Sequence, residues 1–397
     1  MPHSVVIEAL RTPRGAAKET GALHSVTPME LLAGVLRDLA KRTDVDTAEV
    51  ADGVFGCVTQ TGEQGGNIGK SACLLADWSP HLSAVTINRY CASGLSAVNW
   101  AAQQARDADG LAVAGGVEMM SRVPMFGDKV PYYTDRTLGG RIGYVPPPWS
   151  SDLVATRHGF SREDCDGYAA LSQARALAAR SRGPAGSMVP VLDAQGQLLL
   201  DHDENIRATN TLEKLATLRT VYEPGANGLD DWGLAREPEL GHIQHVHTAG
   251  NAPCMADGAA GVLIGTEEAA TRLGLPVRAR ILAHADACVP LTQTGAVDAT
   301  QKALAKAGLN VADIDLWEVR DSFAAITLHY IHSLGIPLEK FNVNGSSIAL
   351  GHPMGATGAM LVSCLLDEME ARDLRYGVAA LPGAFGVATA TVFERLR

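Results

Sequence analysis

Cys91 and His352 are the residues whose types and surroundings point most directly to chemistry. Cys91 lies in Asn88-Arg89-Tyr90-Cys91-Ala92-Ser93-Gly94, and His352 lies in Ala349-Leu350-Gly351-His352-Pro353-Met354-Gly355. Each stands in a small-residue turn that opens a helical run, one in each half of the chain. A helix N-terminus offers unpaired N–H groups and the positive end of a dipole, which favour thiolate over thiol. A histidine set against that sulfur can take its proton, as an activated cysteine nucleophile requires. A cysteine in a small-residue turn is by itself more often a buried small hydrophobe, and that is the reading given to Cys57, Cys73 and Cys364.

The elements that must position this pair follow an α/β pattern, short β-branched runs alternating with Ala-rich helical stretches. Strands are expected at Ser4–Ile7, Asp52–Val58 and Leu111–Gly115, and a helix at Pro28–Ala40. A further strand, Val85–Asn88, delivers Cys91 to a helix over Gly94–Asp107. The C-terminal half repeats this grammar. Asp315–Val319 reads as a strand, Phe323–Leu334 as a helix and Asn342–Gly345 as a strand before the His352 turn. Helix Gly355–Glu370 and strand Tyr376–Leu381 follow, ending in glycines. This weak internal duplication suggests two similar domains meeting at a shared cleft. Between the halves, Pro146-Pro147-Pro148-Trp149 and Glu223–Gly228 break the periodicity, and Arg162–Arg182 reads as an amphipathic helix. Residues 122–247 are expected to form a loop-rich segment covering the cleft.

A chain of 397 residues, 46% of them hydrophobic, is long enough for two or three domains around a large core. The net charge of −11 is spread with no Lys/Arg stripe, which argues against nucleic acid as a partner. Seven dispersed cysteines without a CxxC pair read as reduced thiols. No leader, membrane-spanning run or peroxisomal terminus is apparent, so a soluble cytoplasmic enzyme is expected. His242, His245 and His247 have spacing that can suit a metal. No cysteine or carboxylate completes the set in sequence, so a strand-and-loop cluster and no metal are expected. The glycines at 115–116 and 383–386 fit no dinucleotide or phosphate loop.

Several motifs in order resemble the thiolase family over nearly the whole chain. They are the Cys91 segment, Gly115-Gly116-Val117-Glu118-Met119-Met120-Ser121, Thr248-Ala249-Gly250-Asn251, Asp257-Gly258-Ala259-Ala260, and Asn344-Gly345 before Gly351-His352-Pro353. Ser161–Asp164 with Asp166 and Ser172 adds a loop-domain signature. The resemblance implies that Cys91 attacks an acyl-CoA carbonyl with help from His352, and that the acyl-enzyme then meets a second nucleophile. In the family this is an acyl-CoA enolate formed by a second cysteine. The ungapped match to that cysteine's stretch is Ala380-Leu381-Pro382-Gly383-Ala384-Phe385-Gly386-Val387-Ala388, so Ala380 stands at the base position. Pro382 stands where a glycine amide helps stabilise the oxyanion, and proline has no N–H. A one-residue gap would restore an N–H from Gly383. The family's Asn-Glu-Ala-Phe is here Arg320-Asp321-Ser322-Phe323. Arg320 then either pairs with Asp321 or Glu318, or brings a fixed forked cation to the site.

The implied fold is thiolase-like α/β, two duplicated domains in αβαβα layers. Residues 1–121 and 248–270 form the nucleophile domain, 122–247 the loop domain and 271–397 the histidine domain. Cys91, His352 and Arg320 are the expected catalytic residues. Asn88, Met120, Trp149, Ala249, Pro253, Asp321, Phe323, Ala380, Pro382 and Gly383 are expected around the substrate. No permanent cofactor is implied, and acyl-CoA or another acyl thioester is the expected substrate. A homodimer or homotetramer is expected, with room for a hetero-partner. The leading expectation is an acyltransferase passing its acyl group to a non-standard carbon or heteroatom acceptor in biosynthesis. The alternatives are an ordinary acetyl-CoA or 3-ketoacyl-CoA thiolase, with Cys254 or His352 as base, and a catalytically silent partner subunit.

Overall fold

The computed structural model describes residues 3–225 and 228–396. Ala226 and Asn227 of the Glu223–Gly228 break, and Arg397 of the terminus, lie outside the described residues. The strands are β1 (Ser4–Arg11), β2 (Gly15–Ala16), β3 (Val50–Gly56), β4 (Ser83–Ile87), β5 (Leu111–Met119), β6 (Val191–Leu192), β7 (Leu198–Leu200), β8 (Ala256–Thr266), β9 (Ala279–Cys288), β10 (Leu316–Val319), β11 (Tyr376–Pro382) and β12 (Val387–Arg395). The main sheet runs β10-β11-β12-β9-β1-β8-β5-β3-β4, and β2 adds to β8. In the first half β3 pairs parallel with β4 and β5, while β5, β8 and β1 pair antiparallel. In the second half β10 and β11 are parallel, and β11, β12 and β9 antiparallel. The antiparallel pairing of Ser4–Val6 with Ala279–Ile281 joins the halves. β1 runs past the expected Ile7 because Leu10 and Arg11 still pair with Gly261 and Ala260.

The helices are α1 (Pro28–Thr43), α2 (Ile68–Leu75), α3 (Ser93–Ala108), α4 (Arg136–Ile142), α5 (Pro147–His158), α6 (Arg162–Ser181), α7 (Leu212–Ala216), α8 (Leu229–Leu234), α9 (Glu267–Arg272), α10 (Gly295–Ala307), α11 (Ala324–Leu334), α12 (Ser347–Leu350) and α13 (Met354–Ala371). α1 starts where a Thr27–Glu30 capping box and Pro28 at its first turn dictate. α3 and α13 form a middle layer, sharing one apolar core with residues of both half-sheets, such as Val54, Ala114, Val262, Leu381 and Phe393. α13 is buried nearly all round, which fits a helix covered on both faces.

The two central helices touch backbone to backbone near their N-termini. A Cβ on Gly358 would lie 1.9 Å from Leu95 N, and one on Gly94 would lie 2.7 Å from Gly355 O. One on Gly116 would lie 2.1 Å from the same Gly355 oxygen. Glycine is required here by close approach.

Two local expectations are corrected. Asn342–Gly345 is a turn and not a strand, with φ of +43° at Asn342 and +71° at Gly345. The Asn342 side-chain amide accepts from Val319 N–H and donates to Val319 O, both at 2.8 Å, and so takes the place of a neighbouring strand. Pro147 and Pro148 do not interrupt structure but open α5, at positions where a helix needs no N–H donor. The segment 122–247 is correspondingly more helical than a loop-rich reading implies, holding α4 to α8 and the β6–β7 ribbon.

Gly358→Ala is predicted to destabilise the fold by about 3 kcal/mol or more, since backbone cannot yield as a side chain does. Gly34→Ala, in α1 with nothing within 4 Å of the added methyl, should instead gain about 0.5–1 kcal/mol. Urea unfolding of the two variants checks the contrast.

Candidate functional site

Cys91 lies between β4 and α3 in a turn built by its own side chains. Asn88 Oδ1 accepts from Tyr90 N–H at 2.7 Å and Asn88 Nδ2 donates to Val58 O at 3.0 Å. Ser93 Oγ accepts from Arg89 N–H at 2.8 Å and donates to Tyr90 O at 2.6 Å. These bonds hold Tyr90 at a φ of +49°, an uncommon conformation for a bulky side chain and one found at strained functional turns. Cys91 is partly exposed, whereas Cys57 and Cys73 are buried. Burial pushes the Cys57 thiol well up and that of Cys73 to about 12, as inert structural thiols require.

His352 precedes α13 as Cys91 precedes α3, each three residues before a glycine of the backbone crossing. Its N–H donates to Cys254 O at 2.8 Å. Its Nδ1 lies 2.7 Å from Thr357 Oγ1, and that hydroxyl donates to Pro353 O at 3.1 Å. The hydroxyl proton being spent on Pro353, Thr357 accepts from Nδ1–H, which leaves Nε2 as the bare acceptor nitrogen. Nε2 is buried and has no protein partner among the described residues. Burial, followed by the charges of Arg320 and Arg14, holds the imidazole well below its usual pKa and therefore neutral.

Arg320 leaves β10 and is 3% exposed. Its Nη1 donates to Ser322 Oγ at 2.9 Å and to Pro382 O at 2.8 Å, and Nε has no partner. Among the described residues no carboxylate lies within ion-pair distance of it, so the expected alternative of a pair with Asp321 or Glu318 is not found. Burial lowers its pKa while the charges of Cys91 and Asp321 oppose that, so one cation acts on both Cys91 and His352. Asp321 is instead fixed by Ile348 N–H and Ser172 Oγ, at 2.8 and 3.0 Å. Burial raises its pKa to about 7.

Pro382 ends β11, and Gly383 N–H donates to Val387 O at 2.7 Å. The gap that would offer Gly383 as a replacement oxyanion donor is thereby corrected, because that N–H is already committed. Gly383 does approach the cysteine turn, a Cβ there lying 3.5 Å from Arg89 O. Ala380 is buried and its carbonyl takes Arg320 N–H at 3.0 Å.

The remaining expected residues divide. Met120 and Phe323 are each 6% exposed, and Phe323 packs on Val154 and Ile326 with its ring edge to His247. Ala249 is exposed and Pro253 half-buried. Trp149 is corrected as a pocket residue. It lies fully buried in a separate cluster with Val145, Leu153 and Ile243, its Nε1–H on Asp230 at 2.8 Å. The carboxylates that sequence spacing did not reveal beside the histidines are Asp152 and Asp230. His245 bonds both, at 2.8 and 3.1 Å. His247 Nδ1 bonds Asp152 at 2.7 Å, and its Nε2 accepts from Ala325 N–H at 3.3 Å, in the first turn of α11. Of these histidines, His245 thus ties together parts of the inserted segment, and His247 links that segment to the C-terminal half.

Two features escaped sequence reading. Glu118 is completely buried and accepts from Val58 N–H, Thr59 N–H, Gln64 Nε2 and Gly355 N–H at 2.8–3.0 Å. Four of the chain's eight tyrosines gather beside the cysteine turn. Tyr90, Tyr132 and Tyr144 each lie 5.3–5.5 Å from the Phe385 ring, and Tyr133 stacks edge-on to Tyr132. The adjacent pair Tyr132-Tyr133 was the one local signal for it.

Comparison with known proteins adds an independent observation. The family model of the thiolase N-terminal domain matches residues 4–228, and that of the C-terminal domain matches residues 275–395. A protein of Vibrio vulnificus (strain CMCP6) named 3-ketoacyl-CoA thiolase is 38% identical over 411 aligned positions, covering all of both chains. One of the same name from Pectobacterium carotovorum subsp. carotovorum (strain PC1) is 39% identical over 410, again across both full lengths. A third, from Shewanella loihica, is 37% identical over 406.

The His245 clamp generates a pH prediction. Burial opposes charge on the ring, but bonds to Asp152 and Asp230 raise its pKa above 6.5. A raised folded value contributes stability that is complete below the unfolded pKa and is lost as pH rises through the folded one. His245→Gln should therefore cost more stability at pH 6 than at pH 9, as urea titrations across that range will read.

Proposed function

The chain belongs to the thiolase family, and on that premise we propose that it transfers an acyl group through a thioester on Cys91, with His352 as proton acceptor. The observation that carries this is the neutral His352 imidazole, pinned through Nδ1 so that Nε2 is the free base, set at the paired helix N-termini with Cys91. The thiol gives its proton to Nε2 as the sulfur attacks the acyl-CoA carbonyl. The tetrahedral intermediate collapses, the CoA sulfur leaves with that proton, and the acyl group remains on Cys91. We place the nucleophile on a domain of residues 1–121 and 248–270 and the histidine on 271–397, with 122–247 over the cleft. The protein would act in the cytoplasm as a homodimer or homotetramer.

The names of the relatives favour the ordinary reaction, cleavage of a 3-ketoacyl-CoA by free CoA. In that reading Cys91 attacks the 3-keto carbonyl, and the acetyl-CoA enolate that leaves must receive a proton from a group other than Ala380. His352, newly protonated, and Cys254, whose carbonyl holds the His352 N–H, are the candidates.

A second reading, transfer to a non-standard acceptor, is supported by Ala380 and Pro382 together with Arg320. Pro382 offers no N–H and that of Gly383 is spent, while Arg320 hangs a buried guanidinium on the Pro382 carbonyl. We assign Arg320 the stabilisation of the developing oxyanion in place of the missing amide. Its charge disfavours protonated His352, so the proton acceptor stays neutral until sulfur attacks. A carboxylate-bearing, amine, hydroxyl or arene acceptor would need no cysteine at position 380.

The test is loss of 3-ketoacyl-CoA with and without added CoA. CoA-dependent cleavage supports the ordinary reaction, and no cleavage by an enzyme that still hydrolyses or transfers acyl groups supports the second. In either case Arg320→Gln should lower kcat about 10²–10³-fold, the effect of losing one oxyanion donor. Unchanged kcat in that variant removes the role assigned to Arg320.

A further inference from the structure

Behind the His352 turn, a cavity of about 610 Å³ opens between the ends of β1, α6 and α13 and the stretch 183–206. Cys91, His352, Arg320 and the tyrosine cluster do not line it. Its size falls in the range of small-molecule pockets. Ile206, Leu350 and Leu361 supply an apolar wall, and Arg180 and Arg182 stand at its edge.

Two buried arginines line the interior. Arg11 is well paired, donating to both oxygens of Asp203 at 2.9 and 3.1 Å. Arg14 is fully buried, yet its one side-chain bond is a long 3.4 Å contact from Nη1 to Asp203. Its Nε and Nη2 have no acceptor among the described residues. Asp203 also accepts Arg14 N–H at 2.8 Å, so one carboxylate serves two guanidinium groups.

Among the described residues none of the other lining acids bonds Arg14, and Asp201 is engaged by His202. Asp367 is engaged by Ser187 and Arg278, and Glu368 by Arg372 and Asn344. Glu318, 2% exposed with Oε1 unpartnered, has its pKa pushed up to about 8 by burial and by the charge of Glu368. It is therefore mostly protonated at neutral pH. Arg14 keeps unused guanidinium donors, an expensive state for a buried group. A carboxylate matches an arginine fork through two parallel hydrogen bonds.

We propose that this cavity binds a small carboxylic acid, its carboxylate on Arg14 and its apolar part against Ile206, Leu350 and Leu361. The site is separate from the Cys91 cleft but shares elements with it. Glu318, on β10, lies two residues before Arg320, and Leu350 two before His352. Because the Arg14 charge also weighs on His352, a bound carboxylate would ease protonation of that histidine.

Thermal denaturation at constant ionic strength, with hexanoate, hexanamide and inorganic phosphate as probes, tests the proposal. Hexanoate should raise Tm saturably by about 2–5 °C at a hundredfold excess over Kd, in the native enzyme and equally in Cys91→Ala. The rise should vanish in Arg14→Met and persist in Arg180→Gln. If Arg14→Met fails to fold, crystals of the native enzyme soaked in 6-bromohexanoate should show an anomalous bromine peak inside the cavity. Stabilisation by phosphate but not hexanoate, a rise that survives Arg14→Met, an equal response to hexanamide, or no saturable rise and no bromine peak would each overturn it.

Discussion

Two helices meet backbone against backbone at Gly94, Gly355 and Gly358, and the arrangement of Cys91 and His352 depends on that contact. Cys91 and His352 each stand three positions before a glycine of the crossing, so the two halves of the chain bring them to the same end of the paired helices. A methyl group at Gly358 would reach within 1.9 Å of Leu95 N, which leaves no room for adjustment. Glu118 fastens the crossing by accepting Gly355 N–H at 2.9 Å together with donors from the loop after β3. Its carboxylate also complements the positive end of α13. Burial raises its pKa despite these bonds, and the charge is held by the four donors that surround it.

On this scaffold the electrostatics are built from few charges. Thr357 fixes the tautomer of His352, burial keeps the ring neutral, and Arg320 adds a cation whose anchors are a hydroxyl and a carbonyl. An arginine paired with a carboxylate would have its field largely cancelled. Arg320 has no such partner among the described residues, so it favours negative charge near Cys91 and opposes positive charge on His352. Through-space influence from Arg14 extends the same logic to the cavity behind the turn.

Much of this was legible in sequence because it is local. The small-residue turns, the helix opening at Pro28 and the strand–turn–helix repeats all declare themselves within a dozen residues. What was not legible depends on distant partners. Glu118 takes donors 54 to 237 residues away, and nothing in its own motif states which. His245 and His247 looked like a cluster without carboxylates because Asp152 lies 93 and 95 residues earlier. Trp149 was expected at the substrate but serves the core of the inserted segment, where Asp230 and Ile243 come to it from across that segment. Asn342 read as strand because a side-chain amide can imitate a strand neighbour, which propensity does not register. Tyr132 and Tyr144 reach Phe385 only once the segment 122–247 has packed against the C-terminal half.

The measurement closest to the centre of this account is intact-protein mass spectrometry after exposure to a panel of acyl-CoAs. A covalent Cys91 nucleophile predicts a mass increment equal to one acyl group, absent in Cys91→Ala and removed by hydroxylamine. An unmodified protein with every acyl-CoA, or an adduct that persists in Cys91→Ala, would contradict it.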